Sequence, residues 1–144
     1  LDPAHPNHLE PGKIPLHTLI ASLAFKNEKL WQVLGCMGAD GQPQIHLQAY
    51  TAMIDYGLDV QEAVAGPRWL AGRFALGDPR DLLNMEARFP AATLAELERR
   101  GHTVHRWPDW AERAGHCHGI TIDPATGARI GGADPRSDGA AIGY

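Results

Sequence analysis

The stretch "VLGCMGADGQPQIHLQAY", residues 33–50, passes from an apolar run through a glycine-spaced turn into a helical pattern. Gly35, Gly38 and Gly41 punctuate the turn. Beyond it Ile45, Ala49, Ala52, Met53 and Tyr56 recur three to four residues apart, which predicts a helix from about Gln44 to Tyr56 with Gly57 as its stop. Leu47 and Ile54 widen the apolar face, so the helix is expected to be largely buried. A turn of this kind presents unpaired backbone N–H groups and the positive end of a helix. That suits a carboxylate, a phosphate, or the oxyanion of an acyl-transfer intermediate. A strand-to-helix turn also needs glycines for geometry alone, and spacing by itself favours that plainer account.

Upstream, "TLIASLAF" (18–25) and "LWQVLGCM" (30–37) flank the polar "KNEK", a hairpin whose nearly continuous apolar strands predict cover on both faces. Downstream, Asp59 and Glu62 form a capping box for a short helix that ends at Gly66-Pro67. "LLNMEARF" (82–89) alternates as a strand. "PAATLAELERRG" (90–101) is a helix with Pro at its start and Gly past its end. "TVHRW" (103–107) is a short strand, and "GITIDPATGARIGG" (119–132) a hairpin turning on Asp123, Pro124 and Gly127. This order predicts an α+β fold, a sheet covered by helices on one face. The apolar N-terminal strands call for a further layer from another segment or chain. Residues 1–15, beginning at Leu1, read as an irregular lead-in, as expected of the interior of a longer polypeptide.

The 144 residues are 44 % hydrophobic and 21 % charged, with a net charge of −4 mixed along the chain. That supports one sizeable core and no basic nucleic-acid face. No apolar run reaches the roughly 18 residues of a membrane helix, and compartment is left open. Two cysteines, Cys36 and Cys117, make no disulfide scaffold. Cys36 is a nucleophile only with a base beside it, and the sequence does not place His17 or His46 there. Eight histidines, including "HPNH" and "HCH", lack metal-site spacing. The phosphate-loop ending and the Gly-x-Ser-x-Gly elbow are both absent. In "GKIPLHTLI", His17 and Thr18 stand where coil enters an apolar strand. There they either hold a ligand's carboxylate or simply open the strand and face solvent.

The run from "PGKIPLHTLIASLAF" through "VLGCMGADGQPQIHLQAY" to "AVAGPRW", with "RGHTV" and the closing "GGADPRSDGAAIGY", resembles the second half of the small subunit of the gamma-glutamyltransferase family. The resemblance covers nearly the whole chain in order. It implies an N-terminal-nucleophile hydrolase of αββα four-layer sandwich type, with residues 1–144 the C-terminal portion of one catalytic domain without internal boundary. It also implies a precursor that cuts itself, a freed Thr whose hydroxyl attacks a γ-glutamyl amide, and acyl transfer to water or an amine. No cofactor or metal is implied.

Carried over by position, His17 and Thr18 stand where the commoner members hold the substrate α-carboxylate with two serines. Gly38 and Ala39 stand where a Gly-Gly pair donates N–H groups to the oxyanion. Three positions depart: His-Thr for Ser-Ser, Ala39 for the second glycine, and Gly41 for Arg. Ala39 still serves as a donor provided its φ is negative. The His-Thr and "QPQIH" variants resemble a branch related to cephalosporin acylases.

The nucleophile and the residues gripping the substrate's amino group would lie upstream, so the chain alone is expected to be inactive. Its expected partners are the rest of the precursor and a small γ-glutamyl substrate, with neither nucleic acid nor membrane. Exposed strand edges predict self-association of the isolated chain. Two other readings stand beside this one: a non-catalytic module in which the turn captures an anion, and a zinc-stapled domain using His116, His118 and the His5/His8 pair.

Overall fold

Two sheets form where the sequence predicts one. A computed structural model describes residues 2–74 and 77–144; Leu1, the first residue of the expected lead-in, lies outside them. The first sheet joins β1 (Ala21–Lys26), β2 (Lys29–Met37), β6 (His116–Ile122) and β7 (Arg129–Ala133), antiparallel throughout in the order β1-β2-β6-β7. The second joins β3 (Trp69–Ala71), β4 (Leu82–Glu86) and β5 (Thr103–Trp107). There β3–β4 is antiparallel and β4–β5 parallel. The parallel pair follows from the connection: helix α3 (Ala91–Arg99) lies between the two strands in sequence and supplies the crossover a parallel pair requires. The β1–β2 hairpin turns on Asn27 (φ 51°) and Glu28 (φ 63°), the paired positive φ values whose twist matches a tight hairpin.

Helix α1 (Gln42–Ile54) and helix α2 (Val60–Ala65) pack on one face of the four-stranded sheet. The capping box at α2 forms as its residues predict: the Asp59 carboxylate accepts the Glu62 N–H at 2.8 Å, and the Glu62 carboxylate accepts the Asp59 N–H at 3.0 Å. Helix α3 closes with Gly101 at φ 92°, where the His102 and Gly101 N–H groups return to the Leu97 and Glu98 carbonyls. The core draws on both sheets and two of the helices: Leu34, Ile45, Ala49, Met53, Val60, Val64, Leu70, Trp107 and Cys117.

Three expectations are corrected. Strand β1 begins at Ala21 rather than Thr18, because the backbone before it is taken up by a side chain of α1 instead of a ladder partner. Strand β3 is three residues long, too short to show a period in the sequence. Helix α1 is only half covered. Ile45, Ala49 and Met53 enter the core at every fourth position, which leaves Leu47 and Ile54 on the opposite side and exposed. The same holds for the first sheet: Leu23 and Phe25, on the face away from the helices, stay 61 % and 63 % exposed. Among the described residues, the second layer expected over those strands is not found.

Candidate functional site

Strand β2 ends at Met37, and a single 3-10 turn, Ala39–Gly41, leads straight into α1. Gly38 is extended (φ 167°), whereas Ala39 has φ +46°, the left-handed region that favours glycine. The negative φ expected of Ala39 is therefore not found; the positive φ crowds its Cβ but leaves the backbone N–H in place as a donor. The bonds within the turn engage its carbonyls. Gly38 O accepts the Gly41 N–H at 2.8 Å, and Ala39 O accepts the Gln42 N–H. Among the described residues no acceptor takes up the N–H of Gly38 or Ala39. The first turn of α1 has no side-chain cap and contains Pro43, so the positive end of the helix opens beside the bend.

The turn is braced from below. Gly115 (φ 80°) presses on it so closely that a Cβ there would run into the Met37 carbonyl and lie 3.2 Å from the Gly38 Cα. The Ala114 and Gly115 carbonyls both accept from Arg68 Nη1, at 2.9 and 2.7 Å. Arg68 in turn pairs with Asp134 at 3.0 Å. Asp134 also accepts the Cys117 N–H at 2.8 Å and pairs with Arg136 at 2.9 Å, and Arg136 forks onto Glu86. Burial alone would raise the pKa of Glu86 and of Asp134. The Arg136 guanidinium on Glu86, and the Arg68 and Arg136 charges with backbone N–H donors on Asp134, outweigh it and hold both carboxyls below their usual range. Gly41 lies against the core at the other end of the turn. A Cβ there would meet Leu70 Cδ1 at 2.9 Å and Phe74 Cε1 at 3.1 Å, so any side chain at this position requires Leu70 and Phe74 to move.

His17 and Thr18 lie in the segment before β1, both exposed. No hydrogen bond joins the His17 ring to the turn among the described residues. Thr18 approaches the turn through its backbone: Gln42 Nε2 donates to Thr18 O at 2.9 Å and to Ala39 O at 3.1 Å, while Gln42 Oε1 accepts the Ile20 N–H at 3.2 Å. Gln42 was not singled out from the sequence. In the sequence it stands only as the first residue of the "QPQIH" variant, directly before a helix-start proline.

A second unforeseen cluster ties β1 to α1. Ser22 Oγ donates to Leu34 O at 3.2 Å and lies 2.9 Å from both His46 Nδ1 and Tyr50 Oη. His46 is 7 % exposed. Burial, offset in part by the Ile20 backbone, lowers its pKa and favours the neutral ring.

Cys36 and Cys117 face each other across β2 and β6. Burial pushes their thiols up to about 11 and about 12, and the Cys36 thiol points at the Gln42 carbonyl. Neither has the thiolate character of a nucleophile. Among the described residues no three His, Cys, Asp or Glu side chains converge to hold a metal ion.

The family model described as Gamma-glutamyltranspeptidase matches residues 1–144. The oxamate amidohydrolase proenzyme of Klebsiella pneumoniae is 44 % identical over 144 residues, all of this chain and 27 % of that protein. A glutathione hydrolase-like proenzyme of Bacillus subtilis is 40 % identical over 99 % of this chain and 27 % of its own length. The crystal structure of the cephalosporin acylase from Bacillus halodurans superposes with a TM-score of 0.77 at 36 % identity, covering 99 % of this chain and 26 % of that one. The chain thus spans about a quarter of the length of these relatives. With its mixed α/β fold and a family match along its whole length, the chain belongs to the gamma-glutamyltranspeptidase family, which has amidohydrolases and acylases among its relatives.

Proposed function

We propose that this chain is the C-terminal segment of an N-terminal-nucleophile hydrolase that cleaves a carboxylate-bearing amide, of which a γ-glutamyl amide is the first candidate. The Gly38–Ala39 turn is its oxyanion site. The observation that carries the reading is the state of that turn: carbonyls engaged, two N–H groups without acceptors, and a helix N-terminus beside them. The hydroxyl of an upstream Thr adds to the amide carbonyl. Charge moves to the carbonyl oxygen, and the N–H groups of Gly38 and Ala39 stabilise it. The amine then leaves with a proton, and water or a second amine takes the acyl group from the Thr ester. One such donor is worth a factor of about 10² to 10³ in kcat in acyl-transfer enzymes. The His17–Thr18 segment forms part of the carboxylate site. The uncovered face of the four-stranded sheet packs on a second sheet from the rest of the precursor, completing an αββα sandwich.

A second reading within the same chemistry keeps the turn and changes the donor: an amide acylase acting on an acyl group other than γ-glutamyl. The 44 % identity to an oxamate amidohydrolase supports it, as does glycine at position 41, where the commoner members carry arginine.

Intact mass and N-terminal sequencing of the full-length gene product test the common part. Two chains with a new N-terminal Thr upstream of Leu1 support the hydrolase. An uncut product that hydrolyses neither γ-glutamyl anilide nor oxamate overturns it and leaves the turn as a non-catalytic anion site. Which of the two amides is cleaved faster separates the two readings.

A further inference from the structure

Gln42 stands between the two halves of the site. Resting on the reading above, we propose that it is a positioning residue: its side-chain amide sets the distance between the oxyanion turn and the carboxylate-binding segment. The side chain is 6 % exposed, and its amide is used to the full. Both Nε2 hydrogens have acceptors, Thr18 O at 2.9 Å and Ala39 O at 3.1 Å, and Oε1 accepts the Ile20 N–H at 3.2 Å. Two of these contacts lie on the segment before β1 and one on the turn, so a single planar group spans both.

The segment has little else to fix it there. Thr18 and Ile20 precede the first ladder pair, Ala21 with Gly35, and among the described residues no other hydrogen bond ties their backbone to the turn. Gln42 itself cannot drift. It opens α1, its N–H returns to Ala39 O, and its carbonyl accepts from the Cys36 thiol.

A substrate that offers its carboxylate to the segment and its scissile carbonyl to the turn must satisfy both at once. The energy of the first contact reaches the transition state only if the spacing is held. Gln42 touches neither substrate group, so its effect appears as discrimination between amides that carry the carboxylate and amides that lack it.

Three side chains separate this role from simple packing. Leucine fills similar space and makes none of the three bonds. Glutamate is nearly isosteric: ionised, it keeps the Ile20 N–H but loses both donations and sets a negative charge against two carbonyls. Protonated, it regains one O–H donor. The experiment measures kcat/KM of the matured full-length protein on matched pairs, γ-glutamyl anilide against 4-aminobutyryl anilide, and oxamate against acetamide.

In Gln42→Leu the preference for the carboxylate-bearing member falls at least about tenfold, mainly through kcat, as expected when the binding energy of a remote group no longer reaches the transition state. In Gln42→Glu it falls further at neutral pH and recovers on acidification, a pH profile the wild type lacks. Should Gln42→Leu fail to accumulate, the Glu variant carries the test within one folded sample. A wild-type preference kept in both variants, or a flat pH profile in Gln42→Glu, overturns the proposal while leaving the hydrolase reading intact. A wild-type protein that cleaves neither carboxylate-bearing amide overturns both.

Discussion

Ala39 holds a conformation that its Cβ resists. At φ +46° an L-residue loses about 1–2 kcal/mol to crowding against the carbonyl oxygen. Glycine escapes that cost but adds about 0.4–1 kcal/mol of unfolded-chain entropy. The balance favours glycine, so Ala39→Gly should raise the stability of the full-length protein by about 0.5 kcal/mol, and Ala39→Val should lower it by more than about 1 kcal/mol, since β-branched residues tolerate positive φ worst. Denaturant midpoints in the opposite order would show the turn to be unstrained. His46 makes a second prediction. Its folded pKa lies below the usual histidine value because the ring is buried. As pH falls through about 6.5 the unfolded chain binds the proton first. The neutral ring's contribution is therefore whole above that pH and is lost below it, at no more than about 1.4 kcal/mol per pH unit. His46→Gln should flatten the slope of unfolding free energy between about pH 7 and pH 5; an unchanged slope would mean that His46 does not titrate on unfolding. The glycine-spaced turn was legible in the sequence because chain reversal leaves a composition. Gln42 and His46 were not, because a buried amide and a buried imidazole at the start of a helix look no different from surface residues until the partners at 18, 20 and 22 are folded against them.

Between the elements the decisive feature is the ion network joining α2, β4 and β7. Arg68, Glu86, Asp134 and Arg136 are buried, and Arg88 joins at the rim, pairing with Glu86 at 2.8 Å and stacking 3.5 Å above the Trp110 ring. Breaking such a group from one side leaves a buried charge without compensation, a loss of about 3–5 kcal/mol. Asp134→Ala should cost that much and also free Arg68 from the Gly115 carbonyl that backs the Gly38 turn. Chemical denaturation would reveal it, and a loss under about 1 kcal/mol would mean that water reaches the site and screens the arginines. The same carboxyls make the fold acid-sensitive. Their pKa values are lowered in the folded state, so their stabilisation is full above the unfolded carboxyl range, near about 4, and is lost as pH falls below it. The elements themselves were largely predictable: the α2 capping box, the α3 termini and the β6–β7 turn all carry short-range signatures. The network carries none. Its pairs span 66 residues between Arg68 and Asp134 and 50 between Glu86 and Arg136, with no periodicity to announce them, and this is why the fold appeared from the sequence as one sheet instead of two sheets bolted together.

At the scale of the whole molecule, apolar surface stands uncovered on two sides, Leu23 and Phe25 on the outer face of the four-stranded sheet, Leu47 and Ile54 on the outer face of α1. The sequence reading held both sets to be buried, and among the described residues nothing covers them. Relatives about four times as long supply a simple candidate, since a sheet face of this kind gains about 25 cal/mol for each Å² of apolar surface removed from water. If the remaining precursor covers these faces, the 144 residues expressed alone should associate through them, and the associated fraction should fall when Leu23 and Phe25 are both changed to Lys. The same double substitution in the full-length precursor should do the reverse, blocking assembly and maturation, because two charges would then be forced into an apolar layer without partners. Light scattering on the isolated chain and mass analysis of the precursor read the two arms. A stable monomer of the unchanged chain, together with normal maturation of the Lys variant, would mean that these faces are simply solvated and that the rest of the precursor docks elsewhere.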